Sequence, residues 1–156
     1  MLFKRSLILL LSLFFFGVNH SYSQCEKLKK KKIYQLLGAA EYDNSKSTEI
    51  KTYDNTYVEE YQINLFKGVV YKLIFDVSAM PEGVIIRLVD LGKKRGAGKY
   101  EEVFNSETAT KTKEGNFEVT LEFPQRKMLV HYDVVNNTNP GCVSFVLGYY
   151  LKNRIK

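Results

Sequence analysis

The sequence predicts an all-β protein, an antiparallel jelly-roll-like β-sandwich of seven to eight strands preceded by one short helix. Three observations lead there. In the second and later thirds of the chain, apolar residues recur at every second position, not every third or fourth. The alternating runs are short and are divided by turns rich in Gly, Pro and Asn. No helical stretch lies between them to carry the crossovers of a parallel sheet.

The first element is a leader. Met1 to Arg5 holds two positive charges, Leu7 to Val18 is apolar apart from Ser12 and Gly17, and Asn19 to Ser23 is polar. That order is the layout of a secretory signal peptide. The apolar run is shorter than the roughly 20 residues that a membrane-spanning helix needs. Cleavage after Ser23, with small residues at Ser21 and Ser23, divides the chain into a leader at 1–23 and a single domain at 24–156. The expected location is the periplasm, the cell surface or the exterior, with no transmembrane segment in the mature form. Cys25 admits a second reading, as the lipid-modified first residue of a lipoprotein. That processing favours a small residue before the Cys and a Leu three before it, where this chain has Gln24 and Tyr22.

A helix follows, spanning about 26–37. Leu28, Ile33, Leu36 and Leu37 fall on one side of it, lysines occupy the rest, and Gly38 stops it. The period then changes to two. Glu49 to Asp54 is a weak strand. Tyr61, Ile63 and Leu65 alternate with polar residues, Lys67-Gly68 turns the chain, and Tyr71, Leu73, Phe75 and Val77 alternate again, which predicts a hairpin. Pro81-Glu82-Gly83 turns into Val84 to Leu91, apolar on both faces as a central strand requires. Gly92 to Lys99 reads as a basic, glycine-rich loop before a short strand at Tyr100 to Phe104. Phe117 to Phe123, then Met128 to Val134, then Cys142 to Leu151 complete the set.

These segments resemble a known group. Tyr61 to Phe75, Ile86 to Asp90, Val103 to Ser106, the Phe-rich strand ending at Pro124, Gly141-Cys142-Val143 and the opening Cys25 with Ile33-Tyr34 are similar to small secreted β-sandwich proteins of Bacteroidota. Those proteins are related in pattern to the jelly-roll domains appended to secreted peptidases. The resemblance implies a non-catalytic sandwich. Some of the appended domains bind calcium through acidic loops, and no loop of this chain matches that motif.

The residues themselves exclude more chemistry than they indicate. Two Cys and a single His outside the leader, His131, leave a zinc site one ligand short. Cys25 and Cys142 are too far apart for a redox dithiol, and an oxidising compartment favours a structural disulfide between them. His131 is out of phase with Met128, Val130 and Tyr132, so it points away from that apolar set, and no nucleophile elbow accompanies it. The Glu59-Glu60 and Glu101-Glu102 pairs direct their carboxylates to opposite faces of a strand. Gly92 to Lys99 fails as a phosphate loop, because Lys93 stands where its first Gly belongs and Tyr100 where its Ser or Thr belongs.

Two features point towards binding. Of the 23 basic residues, Lys27 and Lys29, Lys30, Lys31 and Lys32 form one run, and Lys93, Lys94, Arg95 and Lys99 form another. They are candidate contacts to an envelope polyanion. Nucleic acid is not expected for an exported chain without a groove-reading motif. Tyr53, Tyr57 and Tyr150 are candidate rings for stacking on a glycan, though the chain has no Trp. The expected function is therefore an exported, non-catalytic binding or envelope-associated module needing no cofactor. A partner would be an envelope polymer, a glycan or another exported protein. The alternatives are a carbohydrate-binding module and a hydrolase whose carboxylates converge from distant strands.

Overall fold

The structure is a computed structural model that describes residues 25, 27–52, 55–95, 99–122, 127–136 and 139–151. The leader at 1–23, Tyr53 and Pro124 lie outside the described residues. Among the described residues one helix, α1 (Lys30–Leu37), precedes eight strands: β1 (Glu41–Ile50), β2 (Tyr57–Asn64), β3 (Val70–Ala79), β4 (Val84–Arg95), β5 (Lys99–Asn105), β6 (Phe117–Leu121), β7 (Lys127–Val134) and β8 (Gly141–Tyr150). They form two four-stranded antiparallel sheets, ordered β1-β8-β3-β6 and β2-β7-β4-β5.

The ladders are nested. β1 pairs with β8, β2 with β7, β3 with β6 and β4 with β5. The chain is thus one long antiparallel ribbon folded over on itself, and the β3–β8 and β4–β7 ladders close each sheet. This is a jelly roll. Between the sheets lie Leu73, Phe75, Ile86, Leu88, Val130, Tyr132, Val143 and Phe145, all buried. Phe75 and Phe104 stack at 5.6 Å, joining the two sheets through a ring pair. Each such side chain withdrawn from water contributes about 1.5–3 kcal/mol.

The outer face of the β1-β8-β3-β6 sheet is covered by α1. Ile33 and Leu37 pack on Ile74 and Val146, so the middle of that sheet is buried on both sides. Gly148 permits the approach, since a Cβ there would lie 2.5 Å from Leu37 Cδ2 and 2.8 Å from the Glu41 carbonyl oxygen. Gly38 ends the helix at φ 61°, donating its N–H to the Tyr34 carbonyl at 3.0 Å. The helix start is poorly matched to its dipole. Lys29 at the N-cap makes no side-chain cap, and the first turn holds Lys30, Lys31 and Lys32 with no acidic residue. Two attachments hold it nonetheless. Lys32 forms an ion pair with Asp76 on β3, and Cys25 is bridged to Cys142 at the start of β8, 117 residues away, with Cα atoms 5.7 Å apart. That bridge and a lipid thioether on Cys25 exclude one another, because both use the same sulfur.

Four expectations are corrected. The helix begins at Lys30 and not near 26, because Lys29 at its N-cap is already extended and makes no side-chain cap, while Glu26 lies outside the described residues. The first strand runs over Glu41–Ile50, not Glu49 to Asp54, and it is held by its ladder with β8 in the absence of any apolar alternation. Tyr61 to Leu65 and Tyr71 to Val77 do not form a hairpin. Their strands belong to different sheets, and the Lys67-Gly68 turn carries the chain across the sandwich. Most of Gly92 to Lys99 is strand, because β4 continues through a register shift to Arg95 and β5 begins at Lys99.

Candidate functional site at the open edge between β1 and β2

β1 and β2 are the edge strands of their respective sheets. Opposed residues of an antiparallel ladder share a face. Asn44 is opposite Leu147, Lys46 opposite Phe145 and Thr48 opposite Val143, and those three partners are core residues. Asn44, Lys46 and Thr48 therefore face into the space between the sheets. On β2 the same rule turns Tyr57, Glu59 and Tyr61 inward, opposite Val134, Tyr132 and Val130. Positions that would be apolar in a closed sandwich carry amide, ammonium, hydroxyl and carboxylate groups here. The edge consequently stays open to water.

Two adjoining clefts result. One of about 340 Å³ is lined by Thr48, Glu49, Lys51, Tyr57 and Glu59. The other, of about 440 Å³, is lined by Asp43, Asn44, Tyr61, Gln62 and Asn64. Lys46 lines both, and its Nζ lies 4.2 Å above the Tyr61 ring centroid, a cation–π contact across the gap. Gln62 Nε2 donates to Asn64 Oδ1 at 3.1 Å, which orients that amide pair on the rim. The Tyr57 hydroxyl lies 3.1 Å from the Lys51 N–H and 3.3 Å from its carbonyl oxygen, fixing the ring at the far end. Acidic Asp43, Glu49 and Glu59 are set against Lys46 and Lys51, so the lining is close to charge-balanced. Burial raises the Asp43 carboxyl above its ordinary value.

Behind the cleft three hydroxyls are buried. Those of Tyr61 and Thr48 face that of Tyr132, but none of the three reaches hydrogen-bond geometry. Burial is the main cause that pushes both phenols up, Tyr132 to about 12 and Tyr61 further. Neither ionises near neutrality, so they act as neutral polar groups.

The residues singled out from sequence are dispersed. Tyr57 lines the cleft. Tyr150 is the last residue of β8, at the opposite end from Gly141 and Ile50, and packs against the α1 cluster. Tyr57 and Tyr150 therefore do not share a row. Lys29 at the N-cap and Lys30 and Lys31 on α1 are exposed, and Lys32 is tied to Asp76. Lys93, Lys94 and Arg95 lie on the end of β4, with side chains outside the described set. His131 does point outward, where its Nδ1 is 3.5 Å from Glu60. On the same face Arg87 binds Asp133 and lies 3.8 Å from Glu102. Glu59 and Glu60 occupy opposite faces, one in the cleft and one beside His131. Among the described residues, no group of three or more His, Cys, Asp or Glu could hold a metal ion, and no helix is long and apolar enough to cross a membrane.

Sequence reading missed the inward face of β1. Its only signal is the polar run Asp43 to Glu49, in which no apolar residue marks a face.

Fold and cleft together define a jelly-roll sandwich with one open, polar edge. No protein-family model matches the chain, and no curated protein matches it. A solved structure titled "CBM4 structure and function" is similar to it at a TM-score of 0.35 and 13% identity, over 59% of this chain. The chain spans 60% of the length of that protein.

Proposed function

We propose that this chain is a non-catalytic, exported binding module whose β1–β2 cleft takes a polyhydroxylated ligand, a neutral glycan. The observation that supports the reading is the inward set Asn44, Lys46, Thr48, Tyr57, Glu59 and Tyr61, which keeps the sandwich edge open and lines it with hydrogen-bonding groups. A sugar offers hydroxyls to such groups and an apolar ring face to a tyrosine. The near balance of charge argues for a neutral ligand. The length of β1 from Asn44 to Ile50 is about 20 Å, enough for a short oligosaccharide. Export rests on the leader and on the bridge between Cys25 and Cys142, which an oxidising compartment maintains. The carboxylates on either side of β2 are separated by the strand itself, which does not favour a hydrolase.

The test is a glycan array probed with the protein, followed by calorimetry on any oligosaccharide that binds. Replacing Asn44 and Gln62 together by Ala should weaken binding on the order of tenfold, since each loses a charge-free hydrogen bond worth about 0.5–1.5 kcal/mol. Unchanged affinity in that variant would move the ligand off this edge.

A further inference from the structure

The junction of α1 with β1 carries features that the cleft does not use. Lys29, Lys30 and Lys31 are exposed, and so are Tyr34 at 61% and Tyr42 at 41%. Lys30, Ile33, Tyr34 and Tyr42 line a separate cleft of about 230 Å³. The Tyr42 hydroxyl lies 3.1 Å from Ser45 Oγ, which orients its ring. These lysines oppose the helix dipole, in a first turn where acids would be stabilising. Departures from a local rule are expected at functional or strained sites.

We propose that this junction binds an acidic polysaccharide, with sugar rings on Tyr34 and Tyr42 and carboxylate or sulfate groups on Lys30 and Lys31. Charge complementarity selects an anion, and the two exposed rings select a sugar over a bare phosphate, which has no face to stack. A lipid surface fits less well. Ile33 and Leu37, the apolar residues that would enter it, are already packed on Ile74 and Val146. The site is independent of the β1–β2 cleft, because neither Lys46 nor Tyr61 lines it. An anion bound there also relieves the repulsion between the lysines and the helix dipole, so binding stabilises the fold by linkage.

The experiment uses the protein with its bridge formed and three probes: polygalacturonate, polyphosphate, and vesicles of phosphatidylglycerol. Polygalacturonate should bind at low salt, lose affinity steeply as salt rises, and raise the thermal midpoint. Replacing Lys30 and Lys31 together by Gln should weaken that binding on the order of tenfold while the unliganded midpoint holds or rises. Tyr34→Ala and Tyr42→Ala should each weaken polygalacturonate about threefold or more and leave polyphosphate unaffected. Lys46→Ala, a change in the other cleft, should leave polygalacturonate affinity as it is. The proposal is overturned if the tyrosine variants affect both polymers alike or neither, if vesicles bind and the polysaccharide does not, or if nothing binds at low salt. It is equally overturned if Lys46→Ala abolishes binding, since the ligand would then sit in the other cleft.

Discussion

Asp76 shows how one residue decides where a helix sits. Its carboxylate is only 4% exposed, yet it meets the Lys32 ammonium and accepts the Ser78 N–H at 3.1 Å. Burial alone pushes this carboxyl up. The hydrogen bonds from Lys32 and Ser78, with the Lys32 charge, outweigh burial and hold it below its ordinary 3.8. A folded value below the unfolded one contributes stability above the unfolded value, and that stability is lost as pH falls through the folded value. Asp76→Asn should therefore destabilise the protein at neutral pH by about 1–3 kcal/mol. The gap between variant and wild type should close as pH drops below the ordinary carboxylate range. Thermal midpoints measured across that range check both, and a gap independent of pH would remove Asp76 from the account.

At the scale of elements, α1 is attached to its sheet by close packing and by one covalent bond. Gly148→Val places atoms where Leu37 and the Glu41 carbonyl already stand, so urea unfolding should show a loss of about 1–3 kcal/mol from overpacking. An unchanged midpoint would mean that the helix does not lie against β8. The bridge closes a loop of 117 residues, for which the chain-entropy model gives about 4–5 kcal/mol. Cys25→Ser and Cys142→Ser should lose similar stability, and the double variant should match either single one. Two free thiols in the folded protein would refute the bridge. The strands β3, β7 and β8 were legible in the sequence because each sets apolar residues at every second position along the face buried in the core. β1 was not, because an edge strand with polar residues on both faces is defined by its partner, and Asp43 to Glu49 has no period of its own. The false hairpin at Lys67-Gly68 has a related cause. A turn signal shows that the chain bends, but not whether the next strand joins the same sheet. The candidate site depended on that missing information, since only the β1–β8 and β2–β7 registers reveal which polar residues face inward.

At the scale of the molecule, nested pairing places the two edge strands β1 and β2 side by side and gives both of them polar inward positions. Inward-pointing charges such as Lys46 also discourage edge-to-edge association, so the same side chains that hold the cleft open oppose strand pairing at this edge. α1 closes one outer face, and the opposite sheet presents the Arg87, Asp133 and Glu102 contacts on the other. The central claim is that the ligand enters at the β1–β2 edge. It is tested most directly by recording backbone amide spectra of isotope-labelled protein while an oligosaccharide selected on the array is added. The account predicts shift changes concentrated on Asn44 to Lys51 and on Tyr57 to Asn64, with Arg87 and His131 on the outer sheet face unmoved. Changes centred on Arg87 and His131, with the β1–β2 edge silent, would contradict it.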